Sequence, residues 1–255
     1  MKVKIGIHGL TSCYGCQLKI ASVKEILEIS KNFEIEYWYM LSNKGNIKHV
    51  DVAFVEGSVT TEKDEEELKE IRENADILVA IGSCAIYGGV QGILFGNEYE
   101  KAFEEIYGKN KVDYKAKIGE PLKNYVKVDY KLPGCPPEEE EILYYLACFL
   151  LGSYPEEKDY PVCAECRRNG YPCLLLEKNE PCLGALTTAG CNARCIKYGV
   201  PCIGCRGPLE ETAWFDSLAK TFMEKKMSRE YIKSRIEIFG KQHEKLEELL
   251  KKVFE

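Results

Sequence analysis

The sequence predicts an α/β protein in which a doubly wound parallel sheet over residues 1–152 is followed, over residues 153–255, by an irregular cysteine-rich segment and C-terminal helices. Three observations carry this reading. Short apolar runs alternate with helical patterns through the first 150 residues or so, as strand–helix–strand units require. The composition changes after GSYPEE. The thirteen cysteines are divided unevenly, five scattered from Cys13 to Cys148 and eight crowded between Cys163 and Cys205.

The strand candidates are VKIGIHGL, FEIEYWYML, VDVAFVEGSV, ADILVAIGSC and NYVKVDYKLPGC. Each is rich in Val, Ile, Tyr or Phe and bounded by Gly, Pro or Asn, the composition of a pleated, buried surface. Helical patterns fall at about residues 17–30, 62–74 and 98–107, with another from Pro137 to Leu151. The acidic run from Glu62 to Glu67 reads as the solvated first turns of a helix, where carboxylates suit the helix dipole. From Tyr160 to Pro208 there is little periodicity and much Gly, Pro and Cys, with apolar content too sparse for an independent core, so this stretch needs staples. Beyond it, TAWFDSLAKTFMEK and the i, i+3, i+4 spacing of Leu246, Leu249, Leu250, Val253 and Phe254 predict helices, the last packing on its own domain.

Length and charge exclude several classes of function. A chain of 255 residues suffices for one large domain or two unequal ones. Its net charge of −6, with no block of Lys and Arg, argues against nucleic acid. The longest strongly apolar run, Ile142 to Leu151, is about half the roughly 20 residues of a membrane helix. The start MKVKIGIHGL reads as a strand, with no twin-arginine pair, so the expected compartment is the cytoplasm. There, thirteen cysteines point to metal rather than disulfides.

Cys13 and Cys16 in TSCYGC, Cys84 in IGSCAIYGG and Cys135 in LPGCPP all fall in turns from strand to helix. In an open parallel sheet those turns share the carboxyl edge, so four thiols distant in sequence can converge there. Gly15, Gly82, Gly88, Gly89 and Gly134 suit close backbone approach to a bulky group. Such a set could hold tetrahedral zinc or a 4Fe–4S cluster, and spacing alone does not choose. The second group reads C-x2-C-x6-C-x8-C for Cys163, Cys166, Cys173 and Cys182, then C-x3-C-x6-C-x2-C for Cys191, Cys195, Cys202 and Cys205. Eight thiols make two four-ligand sites, although ligand exchange between the two groups is open. The long gaps suit paired zinc knuckles poorly and favour clusters. A zinc-stapled interaction protein is the rival from another class. Cys148, within LYYLACFLL, reads as a buried helix residue without a role.

The succession TSCYGC, VEGSV, GSCAIYGGVQG and PGCPP resembles the small, electron-transferring subunit of nickel–iron hydrogenases over essentially the whole chain. The resemblance implies a flavodoxin-like N-terminal domain and three 4Fe–4S clusters. Cys13, Cys16, Cys84 and Cys135 would hold the proximal one, Cys163, Cys166, Cys173 and Cys182 the distal one, and Cys191, Cys195, Cys202 and Cys205 the medial one. It also implies partners: a large subunit carrying the nickel–iron site, and flavin or iron–sulfur acceptor subunits. The chain would conduct electrons and would not split hydrogen alone. Some relatives place a histidine on the distal cluster, whereas His8, His49 and His243 lie outside the segment. Oxygen-tolerant members carry extra cysteines where this chain has Gly15 and Gly89, so an ordinary proximal cubane is expected. The related subunit of respiratory complex I carries adjacent cysteines in place of C-x2-C and lacks the eight-cysteine extension. Gln17 stands where many relatives have Glu, and Glu56 in VEGSV is a candidate proton-path residue facing the large subunit. The stretches DYPVCAECRRNGYPC, CNARC and AWFDSLAK look most like the delta subunit of archaeal cytoplasmic sulfhydrogenases, the NAD(P)-linked bidirectional type that also reduces sulfur or polysulfide. Small subunits of deazaflavin-reducing and viologen-reducing hydrogenases are the alternatives.

Overall fold

The structure, a computed structural model, describes residues 2–24, 31–41, 46–93, 97–108, 116–209, 213–240 and 251. Five parallel strands form one sheet: β1 (Val3–Gly9), β2 (Phe33–Trp38), β3 (Val50–Glu56), β4 (Ala75–Ile81) and β5 (Tyr130–Leu132), in the order β2-β1-β3-β4-β5. That is the flavodoxin-like order, which places ligands at the carboxyl ends of the strands. Between the strands run α1 (Gly15–Ala21), α2 (Glu62–Glu73), α3 (Gly82–Tyr87) and α4 (Asn97–Tyr107), and α5 (Glu139–Leu150) follows β5.

The strands are apolar on both faces because both are covered. Ile5, Ile7, Val52, Phe54, Val79 and Ile81 pack with Ile20 of α1 and with Ile142, Tyr145, Leu146 and Phe149 of α5. On the other face Ala53, Val55, Leu78 and Ala80 pack with Leu68 and Ile71 of α2 and Ala85 and Ile86 of α3. The acidic start of α2 is a capping box: the Thr61 side chain accepts from the Asp64 N–H, and the Asp64 carboxylate accepts from the Thr61 N–H.

Three expectations are revised. The run from 124 to 135 yields only the three residues of β5, because Tyr125, Val126 and Val128 pack against the α2–α3 side instead of extending the sheet. The stretch from Tyr160 to Pro208 contains three short helices, α6 (Val162–Arg168), α7 (Leu174–Glu177) and α8 (Arg194–Lys197). It also has a small core, in which Cys166, Cys182 and Cys202 pack with Val162, Leu174, Ala193 and Ile196. Aliphatic content is sparse here, but thiols themselves pack as small hydrophobes and complete the core. Then α9 (Ala213–Glu224) and α10 (Arg229–Gly240) cover Leu183 and Leu186 with Phe215, Leu218, Phe222, Ile232 and Ile236. Helix α1 ends at Ala21, short of the predicted residue 30. Residues 25–30 and the leucines from Leu246 to Leu250 lie outside the described residues. Among the described residues no helix is long and apolar enough to cross a membrane.

Candidate electron-relay site

The carboxyl edge is a row of strand ends in register, Gly9 beside Glu56, Glu56 beside Ile81 and Ile81 beside Leu132. The chain leaves this row through three cysteine-bearing turns. Cys13 and Cys16 flank the start of α1, Cys84 lies in the first turn of α3, and Cys135 follows β5. Close approach demands glycine twice. At Gly82, with φ +84°, a Cβ would stand 2.3 Å from the Cys16 sulfur, and at Gly89, with φ +60°, 2.6 Å from the Cys84 sulfur.

The four thiols lie within electrostatic reach of one another. Burial pushes the Cys16 thiol up, and the charges of Glu56, Cys84, Cys135 and Cys13 add to it. Burial, then Cys135, Cys13 and Glu56, raise Cys84 to about 12, and burial, then Cys13 and Glu56, raise Cys135. Thiols that resist ionising beside one another suit a cationic centre, since metal binding removes their protons and balances the thiolate charge. Among the described residues, no three His, Cys, Asp or Glu side chains gather as ligands of a single ion. The Cys84 thiol also lies 3.2 Å from the Gln91 side-chain oxygen.

Glu56 is buried behind this group, at 1 % exposure. Its carboxylate accepts from the N–H groups of Cys16 (3.2 Å) and Gln17 (3.0 Å), holding the first turn of α1 in place. Burial raises its pKa, against those hydrogen bonds. Beside it the Gln17 side-chain amide is buried with neither polar atom paired.

The other eight thiols lie near one another, and Cys182 is within electrostatic reach of Cys195 and Cys202 as well as of Cys163, Cys166 and Cys173. Burial raises Cys163 to about 12, with Cys182, Cys166 and Cys173 adding. Burial likewise raises Cys205 to about 11, with Cys191 and Cys195 adding to it and the Cys135 N–H and Arg206 opposing. Cys202 lies between the groups. Burial and then Cys182 and Cys205 push it up, and its N–H donates to the Cys182 sulfur at 3.3 Å. The Cys135 turn meets the Cys205 turn through the Ser83 hydroxyl, which donates to the Cys205 carbonyl, and the Cys135 main chain lies near enough to the Cys205 thiol to oppose the rise in its pKa. Contacts and charge thus link Cys135 to Cys205, Cys205 to Cys202 and Cys202 to Cys182. Cys148 is buried in α5.

Side chains that the sequence did not single out steady these turns. Glu165 accepts from the N–H groups of Gly190 (2.9 Å) and Ala193 (3.3 Å), around Cys191. Glu177 accepts from the Cys173 N–H at 2.7 Å. Arg206 and Glu141 form a buried ion pair. None of them has a local signal, because each acts on residues brought near only by folding.

Residues 13–149 match the family described as NADH ubiquinone oxidoreductase, 20 Kd subunit. The chain belongs to that family. The match ends before Cys163, but similarity to curated members continues further. Subunit delta of sulfhydrogenase 2 from Pyrococcus furiosus is 41% identical over 207 residues, covering 81% of this chain and 86% of that protein. The F420-non-reducing hydrogenase of Methanocaldococcus jannaschii has a vhu subunit that is 34% identical, covering 83% of this chain and 84% of that one. Among solved structures, an NAD+-reducing [NiFe]-hydrogenase in the H2-reduced state contains a chain that superposes with a TM-score of 0.53 at 27% identity. This family member matches it over 61% of its own length and 95% of the other chain.

Proposed function

We propose that the chain is the electron-relaying small subunit of a cytoplasmic nickel–iron hydrogenase, with a large subunit carrying the nickel–iron site and a flavin or iron–sulfur subunit as acceptor. The observation that carries this reading is the unbroken succession of three thiol groups from the sheet edge to α7. The names of its relatives support it. Bound there, iron–sulfur clusters would supply one-electron storage and transfer. In this reading Cys13, Cys16, Cys84 and Cys135 hold the proximal 4Fe–4S cluster on the domain of residues 1–152. Cys191, Cys195, Cys202 and Cys205 hold the medial one, and Cys163, Cys166, Cys173 and Cys182 the distal one, on residues 153–255.

The chain's own residues bury and fix the ligands. Gly82 and Gly89 let backbone close on the sulfurs, Glu56 clamps the Cys16 turn, and the Cys182–Cys202 contact holds the two C-terminal groups together. The likeness to sulfhydrogenase favours NAD(P) or sulfur and polysulfide as terminal acceptors.

Protein purified anaerobically as the native complex is expected to be brown, with about twelve irons for three four-iron clusters, and to develop paramagnetic centres on reduction. A colourless protein with stoichiometric zinc would overturn the reading. Glu56 is proposed as a proton-carrying group, since it is buried, its pKa is raised and it adjoins the unpaired Gln17 amide. Glu56→Gln in the same complex is expected to slow hydrogen turnover several-fold with iron content intact. Unchanged turnover would remove Glu56 from the proton path.

A further inference from the structure

We propose that Arg206 is a positioning residue of the relay: clamped by Glu141, it fastens the turn carrying Cys135 to the turn carrying Cys205 and holds a fixed positive charge against Cys191 and Cys205. The proposal rests on the cluster reading above, but it comes from a buried ion pair which that reading does not use.

Arg206 is 2 % exposed. Its guanidinium meets Glu141 in a two-pronged pair, Nη1 donating to Oε2 at 2.7 Å and Nη2 to Oε1 at 2.9 Å. The other bonds go to main chain. Nε donates to the Thr188 carbonyl (3.0 Å) and the Ala189 carbonyl (2.9 Å), and Nη1 to the Pro133 carbonyl (2.8 Å). Pro133 lies two residues before Cys135, and Ala189 two before Cys191. One side chain therefore ties together the approaches to two thiol groups while following directly on Cys205. The backbone is shaped around it: a Cβ at Gly190, with φ +130°, would stand 2.1 Å from Nη2 and 2.2 Å from Glu141 Oε1. The Cys135 main chain beside the Cys205 thiol and the Ser83 bond to the Cys205 carbonyl sit in the same junction. Together they bring the Cys135 turn against the Cys205 turn.

Charge gives the junction its second effect. Burying an ion pair is weak evidence for stability, because desolvation offsets the attraction and a well-packed apolar pair often does as well. Here Glu141 is shared by two cations, Arg206 and, at 3.0 Å from Oε1, Lys158. The triad is therefore net positive, with the guanidinium on the side of Cys205. The other charged groups nearby are Glu165, held by the Gly190 and Ala193 N–H groups, Glu138, paired with Arg194, and, on the cavity that the triad lines away from the thiols, Lys131, Glu140, Glu156, Glu157 and Asp159. A fixed positive charge beside thiolate ligands favours the reduced, more negative state of whatever they hold.

The test is a redox titration followed by electron paramagnetic resonance, with iron counted, on the assembled complex and three variants. Arg206→Met should lower the midpoint of the centre on Cys191, Cys195, Cys202 and Cys205. The expected change is about tenfold in the oxidised-to-reduced ratio at fixed potential, or 59 mV for one electron. Arg206→Lys should restore most of that change, and Glu141→Gln should shift the midpoint upward. Opposite signs separate charge from loosening, which would move both the same way. Should Arg206→Met lose its iron, Arg206→Lys near the native midpoint with Glu141→Gln above it still carries the proposal. Midpoints within twofold of native in that ratio, or shifts of one sign, overturn it while leaving the relay intact. A native complex lacking paramagnetic centres overturns both.

Discussion

His8 sits near the carboxyl end of β1, an inner strand, at 1 % exposure, stacked on Tyr37 with ring centroids 4.7 Å apart and its Nδ1 without a hydrogen-bond partner. Burial lowers its pKa from 6.5 to about 4. The unfolded chain therefore binds this proton more readily than the folded one. Stability from His8 is complete above about pH 6.5 and falls as pH drops towards 4. Between pH 7 and pH 5 the loss is about 2 kcal/mol at 1.36 kcal/mol per pKa unit. His8→Phe, which keeps the stacked ring, should remove that part of the pH dependence in denaturant titrations, and an unchanged slope would refute the assignment. At this scale the sequence was informative only where a residue type carries its chemistry alone. The cysteines stand out as candidates because a thiol carries its chemistry without help from a sequence neighbour. Arg206 and Glu141 were not, since they are 65 residues apart and their meaning lies in the pairing.

Among the elements, α2 shows local sequence and tertiary anchoring in agreement. Thr61 and Asp64 cap it reciprocally, and Asp64 also accepts from the Thr60 N–H (3.0 Å), the Thr60 hydroxyl (2.9 Å) and the Thr11 hydroxyl (3.1 Å). Thr61→Ala loses one partner and should cost about 1 kcal/mol. Asp64→Ala strands several donors in a half-buried corner and should cost about 2 kcal/mol or more. Thermal unfolding of both variants would check the order, and a larger loss for Thr61→Ala would contradict it. Helix α2 was readable because its cap, acidic first turn and apolar stripe all lie within its own residues. Strand β5 is shorter than its local pattern predicts for the opposite reason: whether Val126 and Val128 enter the sheet depends on the α2–α3 surface they cover, which no local pattern records.

Across the whole molecule, alternation of strand and helix sufficed to anticipate the doubly wound sheet and the edge where its thiols converge, because both follow from chain connectivity. The packing of the C-terminal part was less legible, since it depends on cysteines that serve as hydrophobes and candidate ligands at once. Cys166, Cys182 and Cys202 are all buried in the same small cluster as Val162, Leu174 and Ile196. On the relay reading this burial sets an order for biosynthesis: iron and sulfide must reach the inner thiols while that region is still open. The cellular machinery that delivers them then acts on a nascent or partly folded chain, and the finished fold seals in what it has received.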